Sequence, residues 1–406
     1  MSLRMLLQKN NIATINGGTF NADGYNAFEN RYYQSGYNAG QLTVANGNFI
    51  GNLLSGDGAT TSISGGAFTD LANAVKYATD GATIKLASDV ALQDRLEITD
   101  GKALTLDLNG HNISRANSVI AVKHGNLTVT GKGKIYETTP NLGAITLWGS
   151  NNEDDANYSV VTVGKDVTLE AWAPIFVTPY QPSGAPYAYG VIVNVNGATL
   201  NSLRDTNSDG GSAIYMNGQM THAKNATQFN LNNATLTAAG GEGMYLAGYA
   251  ETTITGGSIV GDQTGIEIRA GVLNINGATV TGNGTPTSIT PNGNGSTADG
   301  AGVAVMQHTT KLPITVTISD GIISGYTGLL ESNPQKNSAE DIAKVSVNVT
   351  GGKFTAINDG VNAVSSDDER IFLTGGTYSV DPTAYVASGA IARKDGDAQY
   401  TVVPKS

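Results

Sequence analysis

Cysteine is absent from this 406-residue chain, which excludes a disulfide framework, a thiol nucleophile and a thiolate metal site. Proline is scarce, with 11 residues against 52 glycines, and only 14% of residues are charged. A chain rich in Gly, Thr, Asn and Ala with so little charge suits an ordered, turn-rich all-β protein, because disorder goes with more charge and fewer β-formers. Basic residues are outnumbered, 23 against 34 acidic, for a net charge of −11. With no basic run visible, that balance argues against nucleic acid and anionic membrane as partners. No apolar run reaches the roughly 18 to 20 residues of a spanning helix, and Met1–Asn10 is too short and polar for a signal peptide. Read literally, the chain is made in the cytoplasm. Because Asn11 onward already follows the repeat described next, Met1–Arg4 reads equally well as a start appended to a fragment of a longer secreted protein.

What is present is a repeat, clearest between Gly243 and Gly282, where one unit is written twice. A glycine introduces a short alternating strand (Met244, Leu246; then Ile266, Ile268). A second alternating strand then ends in a glycine turn and another aliphatic residue (TITGGSI; then LNINGATV). The same strand-turn-strand unit occurs as ATINGGTF, LTVANGNF and TSISGGAF before residue 69, and from LTVTGKGKI at Leu127 to FLTGGTY at Phe372. Period-two strands recurring at such spacings between Gly and Asn turns read as successive coils of a solenoid. The expected fold is therefore all-β: a right-handed, single-stranded parallel β-helix with one short capping α-helix, the hand following from the usual chirality of parallel connections. Polar or proline-containing insertions at residues 149–158, 178–190, 201–211, 283–299 and 331–343 become loops projecting from it. At ~4.8 Å per coil, roughly a dozen coils make a rod on the order of 50 to 60 Å.

The repeat breaks at Phe68. In TDLANAVKYATDG, Leu71, Ala74, Val75 and Ala78 fall on one helical face, with Thr69 as the N-cap and Gly81 as the stop. A helix over about 70–79 is expected to lie across the open apolar end of the β-helix. The chain then divides into a short N-terminal β-helix block or attachment segment (1–66), the main β-helix (67–375) and a C-terminal cap (376–406) with a hairpin around Asp395-Gly396-Asp397.

Three stretches carry a resemblance: FTDLANAVKYATDGATIKLASDV (68–90), ALTLDLNGHNIS (103–114) and GGTYSVDPTAYVASGAIARKDGDAQYTVV (375–403). They resemble β-helix modules of surface proteins of gut-dwelling bacteria and of their phages, and more broadly the pectate-lyase-like right-handed β-helix superfamily. That superfamily spans lyases, glycosidases, tailspike depolymerases and inert adhesin stalks, so the resemblance is specific for fold and not for activity. It implies an extracellular, cell-surface or virion location, host-surface polysaccharide or glycoprotein as the contact, and a homo-oligomer, a trimer in the case of a phage spike.

Candidate chemistry is sparse. Glu242, Asp262, Glu267 and Arg269 lie in neighbouring coils, and Glu267 and Arg269 alternate outward from Ile266 and Ile268; they are the catalytic candidates, while the plain reading is a solvated strand face with a Glu–Arg pair. Glycoside hydrolysis would need two carboxyls about 5 to 9.5 Å apart. His111, His124, His222 and His308 lack metal-motif spacing. Asp205, Asn207 and Asp209, in DTNSDG, match the opening of a calcium loop, but Met216 stands where the closing carboxylate is needed. No cofactor is otherwise expected. Tyr25, Tyr32, Tyr33 and Tyr37 read as a packed edge or subunit contact. Aligning coils places Tyr215 and Tyr245 at one outward strand position, with Trp148 at another outward site and Tyr180, Tyr187 and Tyr189 in a neighbouring insertion. An outward row of Trp148, Tyr215 and Tyr245, with Tyr187 and Tyr189 beside it, is a surface on which the apolar faces of sugars stack. The function expected is non-enzymatic attachment or rigid display with glycan contact; the alternative is a polysaccharide-degrading β-helix enzyme.

Overall fold

A computed structural model describes residues 12–31, 40–56, 58–99, 101–150, 152, 154, 158–179, 189–205, 207, 210–216, 225–287, 297–396 and 399–405. The chain winds through three sheets of 16, 13 and 10 strands. One coil shows how. Ala250–Thr255 lies in the first sheet, Ser258–Gly261 in the second and Ile266–Ile268 in the third, after which Gly271–Asn276 re-enters the first beside its starting strand. The pairings are parallel, with Met244 opposite Ile266 and Ile254 opposite Ile275, so the two copies of the sequence unit are two stacked coils. The protein is a parallel β-helix.

The turn inside each unit explains its glycines. Gly257 has φ +84°, and a Cβ there would lie 2.3 Å from the carbonyl oxygen of Ala234 in the coil below, so the corner needs both the left-handed conformation and the missing side chain. Alternation does the rest. Ile254, Ile259, Ile266, Ile268, Leu273 and Ile275 are buried in one continuous core. Their outward neighbours in the first sheet form polar ladders instead: Asn230 Nδ2 donates to Asn194 Oδ1 at 3.0 Å, and Asn194 Nδ2 to Thr162 Oγ1 at 3.2 Å.

The N-terminal units extend the first sheet. The phenylalanines that end them, Phe20, Phe49 and Phe68, are in register and stack with ring centroids 4.9 and 5.0 Å apart. Hydrogen bonding of this sheet runs through residue 67, with Gly66 opposite Ile84 and Phe68 opposite Leu86. The second and third sheets begin only at Val90–Ala91 and Leu96–Thr99. Just before them comes the helix α1, Leu71–Tyr77, burying Leu71, Ala74 and Val75. It is shorter than the expected 70–79, and its N-cap is Asp70, whose Oδ1 accepts from Asn73 N, not Thr69. Thr69 Oγ1 is taken up by Gly51 N. Gly81 is not the stop: the backbone turns extended at Ala78, which pairs with Ile63. A second short helix, α2, Ala339–Ile342, capped by Ser338, sits in the 331–343 insertion.

At the other end, Ala390–Lys394 and Tyr400–Pro404 form the expected hairpin. It pairs antiparallel with Thr377–Tyr378, which ends the second sheet's parallel stacking. Among the described residues, no helix is long and apolar enough to cross a membrane.

Candidate functional site on the outer face of the third sheet

Strict register along the third sheet places Thr146, Phe176, Tyr215, Tyr245, Glu267 and Ala304 at one outward position in six successive coils. Because each side chain is fixed by a strand at either side, the row is rigid. Phe176 and Tyr215 are half-buried, as is Trp172 at the corner leading into this sheet, while Tyr245 is buried. The rings form a contiguous group: Tyr215 lies 5.5 Å from Phe176, 5.2 Å from Trp172 and 5.1 Å from Tyr245, centroid to centroid, all in inclined arrangements that suit ring quadrupoles. The row therefore starts at the surface and runs into the interior of the wall.

Beyond Tyr245 it meets an ionic cluster. Glu267 and Arg269 are both 0% exposed, which corrects the expectation of a solvated strand face. They do point away from the β-helix core, but the segment around Thr297 covers Glu267: Thr297 N donates to both Glu267 carboxylate oxygens at 3.0 Å and Thr297 Oγ1 to Oε1 at 2.5 Å. Ala298, Ala301, Ala304 and Met306 make a small apolar cluster of their own beside it. Arg269 Nη1 donates to Tyr245 Oη at 3.1 Å, and Arg269 Nε is 3.7 Å from Glu267 Oε1. Glu242, also buried, accepts from Ser212 Oγ at 2.8 Å.

The electrostatics follow from this burial. Glu267 is pushed up to about 7, first by desolvation and then by the charge of Glu242, with Arg269 and the Thr297 hydrogen bonds opposing. The phenol of Tyr215 rises to about 12 by desolvation and by Glu242. That of Tyr245 is raised too, chiefly by desolvation, with Arg269 pulling the other way. Two coupled carboxyls, one with a raised pKa, can in principle divide acid and base roles; here the raised one is sealed beneath Thr297.

The remaining expected site residues are dispersed. Trp148 is outward but one step along from the Tyr215 row, opposite Lys123 and Thr178, with the Arg95 guanidinium 4.4 Å from its ring centroid. Tyr189 is buried and bridges to Ser150, so it is not presented for contact; Tyr180 and Tyr187 lie outside the described residues, as do Tyr32, Tyr33, Tyr37, His222 and Asp209. Asp262 stands apart from Glu267, exposed and 3.9 Å from Arg204. Asp205 Oδ1 accepts from Asn207 N at 2.8 Å, a local turn. Among the described residues no group of three or more His, Asp or Glu side chains is arranged to hold a metal ion. His308 is buried, its Nδ1 accepting from Thr310 N at 3.1 Å; His111 Nδ1 is 3.5 Å from Asp89.

Phe176 and Trp172 were not anticipated. Phe176 had a signal, since Ile175-Phe176-Val177 repeats the aliphatic-aromatic-aliphatic pattern of Ile214-Tyr215-Met216 and Met244-Tyr245-Leu246. Trp172, in an irregular corner, had none. Comparison of the chain with protein-family models, curated proteins and solved structures finds no match.

Proposed function

We propose that this protein is a non-enzymatic β-helical rod of a bacterial surface or virion that contacts host-surface glycans through the outer face of its third sheet. The observation that carries the reading is the contiguous, half-buried group of Phe176 and Tyr215, held on strands of a rigid sheet, and Trp172 at the corner beside them. Rings held in place lose little freedom when the apolar face of a sugar stacks on them. The ten strands of the third sheet span on the order of 45 Å at ~4.8 Å spacing, a length suited to holding a contact surface away from its anchor. The sequence resemblance to bacterial and phage β-helix modules points to the same setting. Tyr245 supports the row from within.

Surface plasmon resonance against immobilised host-surface polysaccharides tests this. Trp172→Ala and Tyr215→Ala are each expected to weaken binding about 2- to 10-fold, from ~0.5 to 1.5 kcal/mol per ring contact. Unchanged binding by the double variant, with its melting curve intact, would remove this surface from the account. The second reading is a polysaccharide-cleaving enzyme, favoured by one observation, the raised pKa of Glu267 beside Glu242. It requires the Thr297 segment to leave Glu267, because a general acid must reach the glycosidic oxygen.

A further inference from the structure

The second sheet carries a groove of about 480 Å³ on its outer face, lined by Glu170, Asn201, Leu203, Thr237, Val260 and Asp262 among others. That volume is within the ~300 to 1,000 Å³ of small-molecule sites. Its lining is sorted by chemistry. Leu203 and Ala239 supply an apolar strip. On one side runs a polar ladder across four coils: Lys134 Nζ donates to Glu170 Oε2 at 2.7 Å, Asn201 Nδ2 to Glu170 Oε1 at 3.3 Å, and Thr237 Oγ1 to Asn201 Oδ1 at 2.8 Å. Val260 ends the ladder's row in the next coil, and Asp262 ends the row of Leu203 and Ala239, accepting from Gly240 N at 2.9 Å and pairing with Arg204. Gly240 has φ +88°, and a Cβ there would lie 2.3 Å from the Arg204 guanidinium carbon, so the missing side chain lets Arg204 lie against the backbone.

We infer that this groove is a second binding site, for a short neutral saccharide lying along the rod axis. An apolar strip beside a polar ladder and closed by a carboxylate fits a sugar ring, whose CH face is apolar and whose hydroxyls radiate in its plane. The carboxylates at Glu170 and Asp262 accept from hydroxyl pairs, and Asn201 and Thr237 offer donors and acceptors. Both carboxylates are already matched by Lys134 and Arg204, which leaves no net positive field for an anionic sugar. The ladder members hold each other in place before any ligand arrives, which lowers the ordering cost of binding. Four consecutive strands extend on the order of 14 Å at ~4.8 Å spacing, long enough for more than one ring. The site lies on a different sheet from Phe176 and Tyr215, with Trp172 at the corner between them, where its carbonyl accepts from Ser202 Oγ at 2.6 Å.

A panel of neutral hexose tri- and tetrasaccharides, with sialylated and sulfated trisaccharides beside them, titrated calorimetrically into the full chain, tests the assignment. Binding of at least one neutral member is expected, with at least tenfold loss in Thr237→Trp, an exposed position where the larger side chain fills the groove, and in the Glu170→Ala/Asn201→Ala double variant. Thr315→Trp, at an exposed position of the first sheet, is expected to bind as the parent does. The inference is overturned if no neutral saccharide binds, if only the anionic ones do, or if binding survives Thr237→Trp and is lost in Tyr215→Ala.

Discussion

Ile268→Asp is expected to destabilise the protein by about 4 kcal/mol or more. Ile268 is fully buried, and its register neighbours, Leu246 below and Val305 above, are buried at the same inward position. The substitution forfeits roughly 1.5 to 3 kcal/mol of apolar burial and places a carboxylate between two aliphatic register neighbours, adding the cost of an unpaired buried charge. Ile322→Asp is the matched control. Ile322 is 47% exposed at an outward position of the second sheet, so the same chemical change there is expected within ~0.5 kcal/mol of the parent. Urea unfolding of the pair checks both; equal shifts would mean that inward and outward have been exchanged.

The second large effect is at Arg269, the one cation named in the buried cluster with Glu267, Glu242, Tyr245 and Tyr215. Removing one partner of a buried ion pair costs about 3 to 5 kcal/mol, because the other charge is left behind. Glu267, however, can escape by taking a proton. Arg269→Ala is therefore expected to cost the most at pH 8, where Glu267 would have to ionise beside Glu242, and much less at pH 5. The parent protein carries a weaker version of the same dependence. The folded pKa of Glu267, about 7, lies above its ordinary value of 4.5, so between these values the folded state binds more proton than the unfolded one. Its stabilising contribution is full below pH 4.5 and is lost as pH rises through 7, a change on the order of 3 kcal/mol. Glu267→Gln should flatten that part of the stability-pH curve, and an identical slope in parent and variant would show that Glu267 does not titrate as its surroundings require.

The fold was legible because it is written in local pattern. Gly243–Gly282 contains its own repeat, and the pairs that pattern aligns, Met244 with Ile266 and Ile254 with Ile275, are the pairs the sheets bring together. The helix was legible from its apolar face, while its N-cap was misplaced by one residue since Thr69 and Asp70 are both good caps and tertiary contact with Gly51 decides between them. The site was legible only where it is periodic. Outward direction at Tyr215 and Tyr245 followed from alternation. Burial of Glu267 did not, because its cover comes from Thr297, 30 residues along the chain beyond a polar insertion, and alternation reports direction, not what lies on top. The pairing of Arg204 with Asp262 across coils was equally invisible, since insertions of unequal length separate corner residues that stack.

Incubation with host-surface polysaccharides, following retention of the protein on the glycan and release of oligosaccharides in the same tubes, bears most directly on the central claim of binding without cleavage. Retention that falls in Trp172→Ala and Tyr215→Ala, with no oligosaccharide released at any time point, is the result predicted; release of oligosaccharides that Glu267→Gln or Glu242→Gln abolishes would contradict it.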